Sequence, residues 1–173
     1  LQAGQGKQEN LRRHLLCLDR GTGKLVWQKT FMPKLPEHVY GGEGSYHGYA
    51  ASTPTTDGKH LFVFMGKSGV YCLDLAGKQV WHADVGGGTS GWGSGCSPVI
   101  YKDLVILQCD RYGPSYLLAI DRRTGKDRWK QDRPGKWLSW SSPRLIQVNK
   151  PGKGQPDSEL VVTGSLSIDG LDP

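Results

Sequence analysis

Nothing in this 173-residue sequence strings together the ~18 consecutive apolar side chains of a membrane-crossing helix, and apolar residues make up only 36% of it. Nor does any stretch place apolar residues at helical spacing over several turns, which argues against a helical bundle. Cysteine is sparse. Cys17, Cys72, Cys96 and Cys109 show neither C-x-x-C nor C-x-x-C-H spacing, so this stretch encodes no zinc cluster and no c-type haem attachment. The run VGGGTSGWGSG is followed by neither a helix nor a Lys-Ser/Thr pair and is therefore not a phosphate-binding loop. No group of Asn, Asp and Glu stands out as an oxygen cage for calcium. A charged-then-apolar leader is also missing. The chain opens on Leu1 and closes on GLDP, the start of a fourth copy of a recurring phrase, and we expect a piece of something longer.

What is present is repetition. Residues 17–27 read CLDRGTGKLVW, residues 72–81 read CLDLAGKQVW and residues 119–129 read AIDRRTGKDRW. Aligned on their aspartates, Asp19, Asp74, Asp121 and the terminal Asp172 recur at spacings of 55, 47 and 51. A second marker runs in step: ASTP, CSP and SSP place Pro54, Pro98 and Pro143 at intervals of 44 and 45. Periods near 50 without helices predict an array of β units.

Residues 51–85 show the order of signals within one period: a short segment ending in Pro54, the turn TDGK, HLFVFMG, VYCLD, the turn LAGK, and QVWHADV. That pattern predicts four short antiparallel strands joined by tight turns. LFVFM, LVIL and LVV are apolar at successive positions, so both faces of these strands should be covered. Four-stranded sheets stacked around an axis satisfy this and leave few exposed edges. In each turn the aspartate accepts from backbone N–H groups and the glycine supplies a positive φ. The turn from Asp74 to Gly77 is one residue shorter and should differ in type. Trp27, Trp81 and Trp129 follow four residues after each glycine, placed to fill the widening gap between adjacent sheets.

The phrase A-I-D-R-R-T-G-K-D-R-W fits A-x-D-x-x-T-G-x-x-x-W, which resembles the tryptophan-docking motif of quinoprotein dehydrogenases and of the wider PQQ-like propeller repeat family. On this chain the motif falls on Asp19, Gly23 and Trp27, on Asp74, Gly77 and Trp81, and on Asp121, Thr124, Gly125 and Trp129. With the S-x-P strand starts, the resemblance covers nearly the whole chain. It implies an all-β fold: a β-propeller segment of four-stranded antiparallel blades, drawn from a propeller of about seven or eight. Two full blades (48–86 and 92–133) would be flanked by two partial ones, an outer half-blade at 1–31 and an incomplete blade at 138–173 holding the inner half. Cys17 replaces the motif's alanine in the first copy, as does Cys72 in the second, where Ala76 also replaces threonine. Such departures occur in relatives that keep the blade without the cofactor. The vicinal cysteine pair that resembling alcohol dehydrogenases set against their quinone is absent from this stretch.

Alternating strand direction puts the Asp-Gly turns on one face and the connections between blades on the other. That second face gathers SYHGYAAS, GWGSGCS, KWLSWSS and DRYGP, so Tyr46, His47, Tyr49, Trp92, Trp137 and Trp140, with Asp110 and Arg111, form the candidate ligand- or partner-binding face. Singly, Trp92 and Trp137 also suit a role as blade padding, and His47 as a hydrogen-bonded structural residue. No residue is assigned a catalytic role. A hairpin turning at Lys102 and Asp103 sets Cys96 opposite Cys109; whether they are bonded stays open. Cys17 and Cys72 read as small buried fillers on equivalent strands of successive blades, too far apart to bridge.

The formal charge of +6 is concentrated: residues 122–136 carry seven Lys or Arg against Asp127 and Asp132. No stacking aromatics or recognition helix accompany them, so the stripe reads as a solvated outer strand and not as a nucleic-acid surface. The resemblance implies an extracytoplasmic protein of the bacterial periplasm or cell envelope. The expected function is a noncatalytic binding or scaffold module with a protein or cell-envelope partner, no cofactor, and contacts to the rest of its own propeller. The alternative is a dehydrogenase of alcohols or sugars using pyrroloquinoline quinone (PQQ) with calcium.

Overall fold

The computed structural model describes residues 7–39, 48–86, 95–111, 113–136, 138–149 and 157–173. These residues form four antiparallel sheets in chain order. The first pairs β1 (Arg13–Leu18) with β2 (Leu25–Phe31). The second runs β3 (Thr55–Thr56), β4 (His60–Phe64), β5 (Val70–Asp74) and β6 (Gln79–Ala83), each strand hydrogen-bonded to the next. The third repeats this with β7 (Val99–Tyr101), β8 (Leu104–Cys109), β9 (Tyr116–Asp121) and β10 (Asp127–Asp132). The fourth holds β11 (Arg144–Val148), β12 (Asp157–Gly164) and β13 (Ser167–Leu171), one strand more than the inner half-blade expected from the sequence. Among the described residues the only helices are single 3-10 turns at Gln8–Asn10 and Gly66–Ser68. The fold is the all-β, bladed one that the repeats imply.

Pro54, Pro98 and Pro143 immediately precede the innermost strands β3, β7 and β11. The core is divided among the seams between sheets. Phe31 on the first sheet meets Val63, Met65 and Leu73 of the second. Phe64, Val70 and Ala83 of the second meet Leu107, Leu118 and Ile120 of the third. Ile106, Leu117 and Ala119 then turn the other way, onto Leu160 and Val162 of the fourth. Successive residues of β9 thus face opposite neighbours, and all six are buried. This is why these strands are apolar throughout instead of alternating.

Two repeating contacts stitch the seams. On the outer side, the indole Nε1–H of Trp27 donates to the carbonyl of Leu75 at 3.0 Å, and that of Trp81 to the carbonyl of Arg122 at 3.0 Å. In both, the acceptor is the residue after the turn aspartate of the next blade. The ring lies over that turn's glycine: a Cβ at Gly77 would come within 3.0 Å of Trp27, and one at Gly125 within 2.8 Å of Trp81. On the inner side, the backbone N–H of Thr53 donates to Ser97 Oγ at 2.9 Å, and that of Ser97 to Ser142 Oγ at 2.8 Å. The hydroxyls of the serines directly before Pro98 and Pro143 therefore tie one innermost strand to the next.

The turns follow the sequence logic. The Gly23 and Gly125 N–H groups close onto the carbonyls of Asp19 and Asp121, four residues back, whereas Gly77 N–H closes onto Asp74, three back. Asp19 Oδ1 accepts from the Thr22 hydroxyl and N–H, which hold its carboxyl below the ordinary range. The Thr124 N–H does the same for Asp121. Register shifts at Cys17/Leu18, Cys72/Leu73 and Asp127/Trp129 mark a bulge beside each turn. Cys72 is buried as expected, but Cys17 is only half-buried, because β1 has a partner strand on one side alone while β5 is flanked on both. Burial, with Asp57 and Asp74 nearby, pushes the Cys72 thiol up to about 12.

All three turn glycines have φ between 69° and 82°, but Gly23 has open space where a Cβ would stand. Gly23→Ala should therefore cost about 1–2 kcal/mol for backbone strain alone. Gly125→Ala adds a collision with the Trp81 ring and should cost about 3 kcal/mol or more. Urea unfolding of the two variants measures the difference, and equal losses would mean that the ring contributes nothing to the seam.

Candidate functional site

The two ends of the strands differ in what they join. At one end, Arg122 links three turns: its backbone N–H donates to the Asp103 carbonyl, and its guanidinium reaches Asp57 at 3.0 Å and Asp103 at 3.5 Å. The other end carries the longer connections, where the candidate binding face was placed. Of its eight residues, Tyr46, His47, Trp92 and Trp137 lie outside the described residues, while Tyr49, Asp110, Arg111 and Trp140 lie within them.

Asp110 and Arg111 follow β8 directly and line a cavity of about 30 Å³ between the second and third sheets, together with Gly95, Cys96 and Gln108. Trp140 adjoins it through Gly95, where a Cβ would come within 3.0 Å of the indole. Asp110 is not offered to solvent. Its side chain is fully buried, with Oδ1 accepting from Arg133 Nε at 3.1 Å and Oδ2 from Gln108 Nε2 at 2.6 Å. Arg133, 5% exposed, reaches on to Asp169 of the fourth sheet at 3.1 Å. Gln108 Nε2 also donates to the Thr163 carbonyl at 2.6 Å, which the hydroxyls of Ser139 and Ser141 share. The result is a buried polar seam between third and fourth sheets, in which Asp110 is a structural counter-ion.

Arg111 behaves differently. Its guanidinium lies 5.0 Å from the centre of the Tyr116 ring, and its Nε donates to the Pro114 carbonyl at 3.2 Å. The Tyr116 hydroxyl donates to the Val85 carbonyl. Burial, then the adjacent Cys109, push this phenol up to about 12, so it serves as a hydrogen-bond donor at neutral pH.

Tyr49 belongs to a second cavity, of about 180 Å³, between the first and second sheets. Its carbonyl accepts from Arg13 Nε at 2.6 Å, its hydroxyl donates to the His38 carbonyl at 2.9 Å, and its ring lies 4.5 Å from that of His38. Arg13 and Glu37 form a buried ion pair at 2.6 Å, and Arg13 also donates to Ser68 Oγ. Apolar walls come from Val63, Phe64 and Met65. The described mouth is thus two cavities at successive seams, with Tyr49 in one and Asp110, Arg111 and Trp140 around the other.

Sequence reasoning missed Gln108, Arg133, Arg13 and Glu37. A polar residue inside the apolar run LVILQC was the available signal for Gln108. Arg133 belongs to the basic stripe, yet five of that stripe's seven cations are paired: Arg122, Arg123, Arg128, Arg133 and Lys136 with carboxylates of turns and neighbouring blades. Lys130 sits over the Tyr116 ring at 4.0 Å. Among the described residues no group of three or more His, Cys, Asp or Glu could hold a metal ion. Calcium needs about six to eight oxygen ligands. The carboxylates of Asp110 and Glu37, each committed to a buried arginine, do not assemble such a cage.

Stacked four-stranded blades sewn by an indole outside and a hydroxyl inside define a β-propeller of PQQ-like repeats. A family profile described as "Outer membrane protein assembly factor BamB" matches residues 11–172, and the chain belongs to this family. No curated protein sequence matches it. Among solved structures, BamB from Moraxella catarrhalis aligns with a TM-score of 0.56 at 17% identity, over 92% of this chain and 43% of that one. Quinohemoprotein alcohol dehydrogenase from Comamonas testosteroni aligns at 0.56 and 14% identity, over 92% and 38%. A europium-containing methanol dehydrogenase aligns at 0.53 and 19% identity, over 71% and 22%. These likenesses show the fold, and the chain spans less than half the length of each structure.

The buried pair yields a direct test. Arg133→Met strands a fully buried carboxylate and should lower the unfolding free energy by about 3–5 kcal/mol. Arg111→Met, at a half-exposed side chain, should cost under about 1 kcal/mol. Urea denaturation at neutral pH separates the two, and similar losses would contradict the division of roles.

Proposed function

We propose that the protein is a noncatalytic propeller that binds a protein partner through the face bearing Tyr49, Arg111 and Trp140, with Tyr46, His47, Trp92 and Trp137 contributing to the same surface. The observation that carries this reading is the state of the carboxylates. Asp110 and Glu37 are each held by a buried arginine, and Asp84 is paired with Lys34 at 2.8 Å. A dehydrogenase of this kind needs a base and a metal cage at the mouth; here the acids of the described mouth are already engaged by cations. What the face presents instead are aromatic rings and a cation, the residue types enriched at protein interfaces. The family's assembly-factor description supports the same class of role. It also supports an extracytoplasmic setting, in the periplasm or cell envelope. In this reading the indole seams are the tryptophan-docking device, retained for architecture alone.

A second reading is favoured by the two dehydrogenases of like fold. In it the whole protein binds PQQ and calcium and oxidises an alcohol or sugar. Two measurements on the full-length protein separate the readings. A photo-crosslinking side chain at position 111 should give discrete protein adducts in its native cell envelope, while one at position 126, on the turn face, should give none. Equal adduct patterns from both positions would overturn the proposed face. Incubation with PQQ and calcium should give no dye reduction with alcohols or sugars, and sustained turnover would make the second reading the correct one.

A further inference from the structure

Cys96 and Cys109 lie at the first cavity, and nothing in the seam contacts described above requires two thiols there. The β7–β8 register, Val99 with Ile106, Ile100 with Val105 and Tyr101 with Leu104, extends toward the mouth to put residue 96 opposite residue 109. Cys96 Sγ accepts from the Gln108 N–H at 3.4 Å, which holds it against the backbone beside Cys109. Both side chains are buried, at 2% and 8% exposure, and both belong to the apolar cluster between second and third sheets. Both also line the cavity of about 30 Å³. The two sulfurs therefore share a face, a cluster and a void.

That void gives the finished bond room. Directly opposed strand residues have Cβ atoms about 4.5–5.5 Å apart, and a disulfide draws them to about 3.5–4.5 Å. The cavity lets Cys96 Sγ leave the Gln108 N–H and swing toward Cys109 without displacing a packed side chain. Cys17 and Cys72 have no such relation. Cys17 pairs with Trp27, and Cys72 sits between Phe62 and Trp81.

We propose that Cys96 and Cys109 form a cross-strand disulfide, made by exchange with a small-molecule disulfide as the chain folds. Cys109 as thiolate attacks one sulfur of the small disulfide and expels the other as a thiolate, leaving a mixed disulfide. Cys96 as thiolate then attacks the Cys109 sulfur and displaces the second small thiol. The protein gives up two protons and two electrons, and the small disulfide leaves as two thiols. Burial pushes the Cys109 thiol up to about 12 and the Cys96 thiol higher still, so both are inert once the blade has closed. Exchange belongs to the open, folding chain, and the finished bond is shielded from reduction. Its consequence is mechanical: it fixes the loop entering β7 to the strand that ends in Asp110 and Arg111.

The test is made on the full chain, refolded from denaturant in a mixture of reduced and oxidised glutathione, alkylated under denaturing conditions and mapped by mass spectrometry. Two of the four thiols should be lost to alkylation, with a single peptide link joining Cys96 to Cys109. The oxidised protein should melt several degrees above the reduced one, and that difference should vanish in Cys96→Ser and again in Cys109→Ala. Alkylation of all four cysteines, a link that includes Cys17 or Cys72, or glutathione left on a single cysteine would overturn the proposal.

Discussion

One hydrogen bond organises this protein: the indole N–H of an outermost strand donated to the carbonyl after the turn aspartate of the next blade. Twisted sheets set around an axis diverge outward, and the gap they leave at the rim must be filled by something wide and flat. An indole fills it, but its single polar atom then needs an acceptor at a fixed place. The turn supplies one. The aspartate gathers the turn's own N–H groups, the carbonyl of the next residue accepts the indole, and glycine keeps the approach clear. Nearer the axis the link between sheets is a serine hydroxyl accepting from a backbone N–H. The repeated phrase and the S-x-P marker are the outer and inner halves of one requirement, that each sheet grip its neighbour.

The same requirement explains where the charge goes. Between the sheets, apolar side chains take both faces of the middle strands, so ionic groups are left to the strand ends. There they reach across seams: Arg122 to Asp57 on the turn face and, on the other, Arg133, held by Asp110 of its own blade, to Asp169. A stripe that looks basic in sequence is largely neutral in place. Arg111, like Lys130, lies against the Tyr116 ring, and among the described residues neither is in a salt bridge. Electrostatically the mouth is quieter than its composition suggests, which suits a surface that recognises shape and aromatic contact more than charge.

The fold was legible because its signals are local and repeated. Asp, Gly and Trp at fixed offsets specify a turn and what packs on it, and continuous apolar runs specify strands covered on both sides. The opposition of Cys96 and Cys109 could be read from the position of one two-residue turn, since antiparallel register follows from it. The buried ion pairs could not. Arg13 with Glu37 and Arg133 with Asp110 join residues more than twenty positions apart, and each pairing exists only once the chain beyond β2 or β10 has folded back onto an earlier part of its own blade. Asp110 was legible as a residue of the mouth, but its engagement by Arg133 was not, and that engagement changes its chemistry from available to committed.

The stacking of the blades depends on rim indoles held by the neighbouring blade. Hydrogen exchange at the indole N–H groups reads this directly, with signals assigned by replacing each tryptophan with phenylalanine in turn. The N–H protons of Trp27 and Trp81 should exchange only through unfolding, with protection approaching that of the most protected amides of β5 and β9. Exchange of both at the rate of free tryptophan would show rings resting on the surface, and the seams would have to be explained without them.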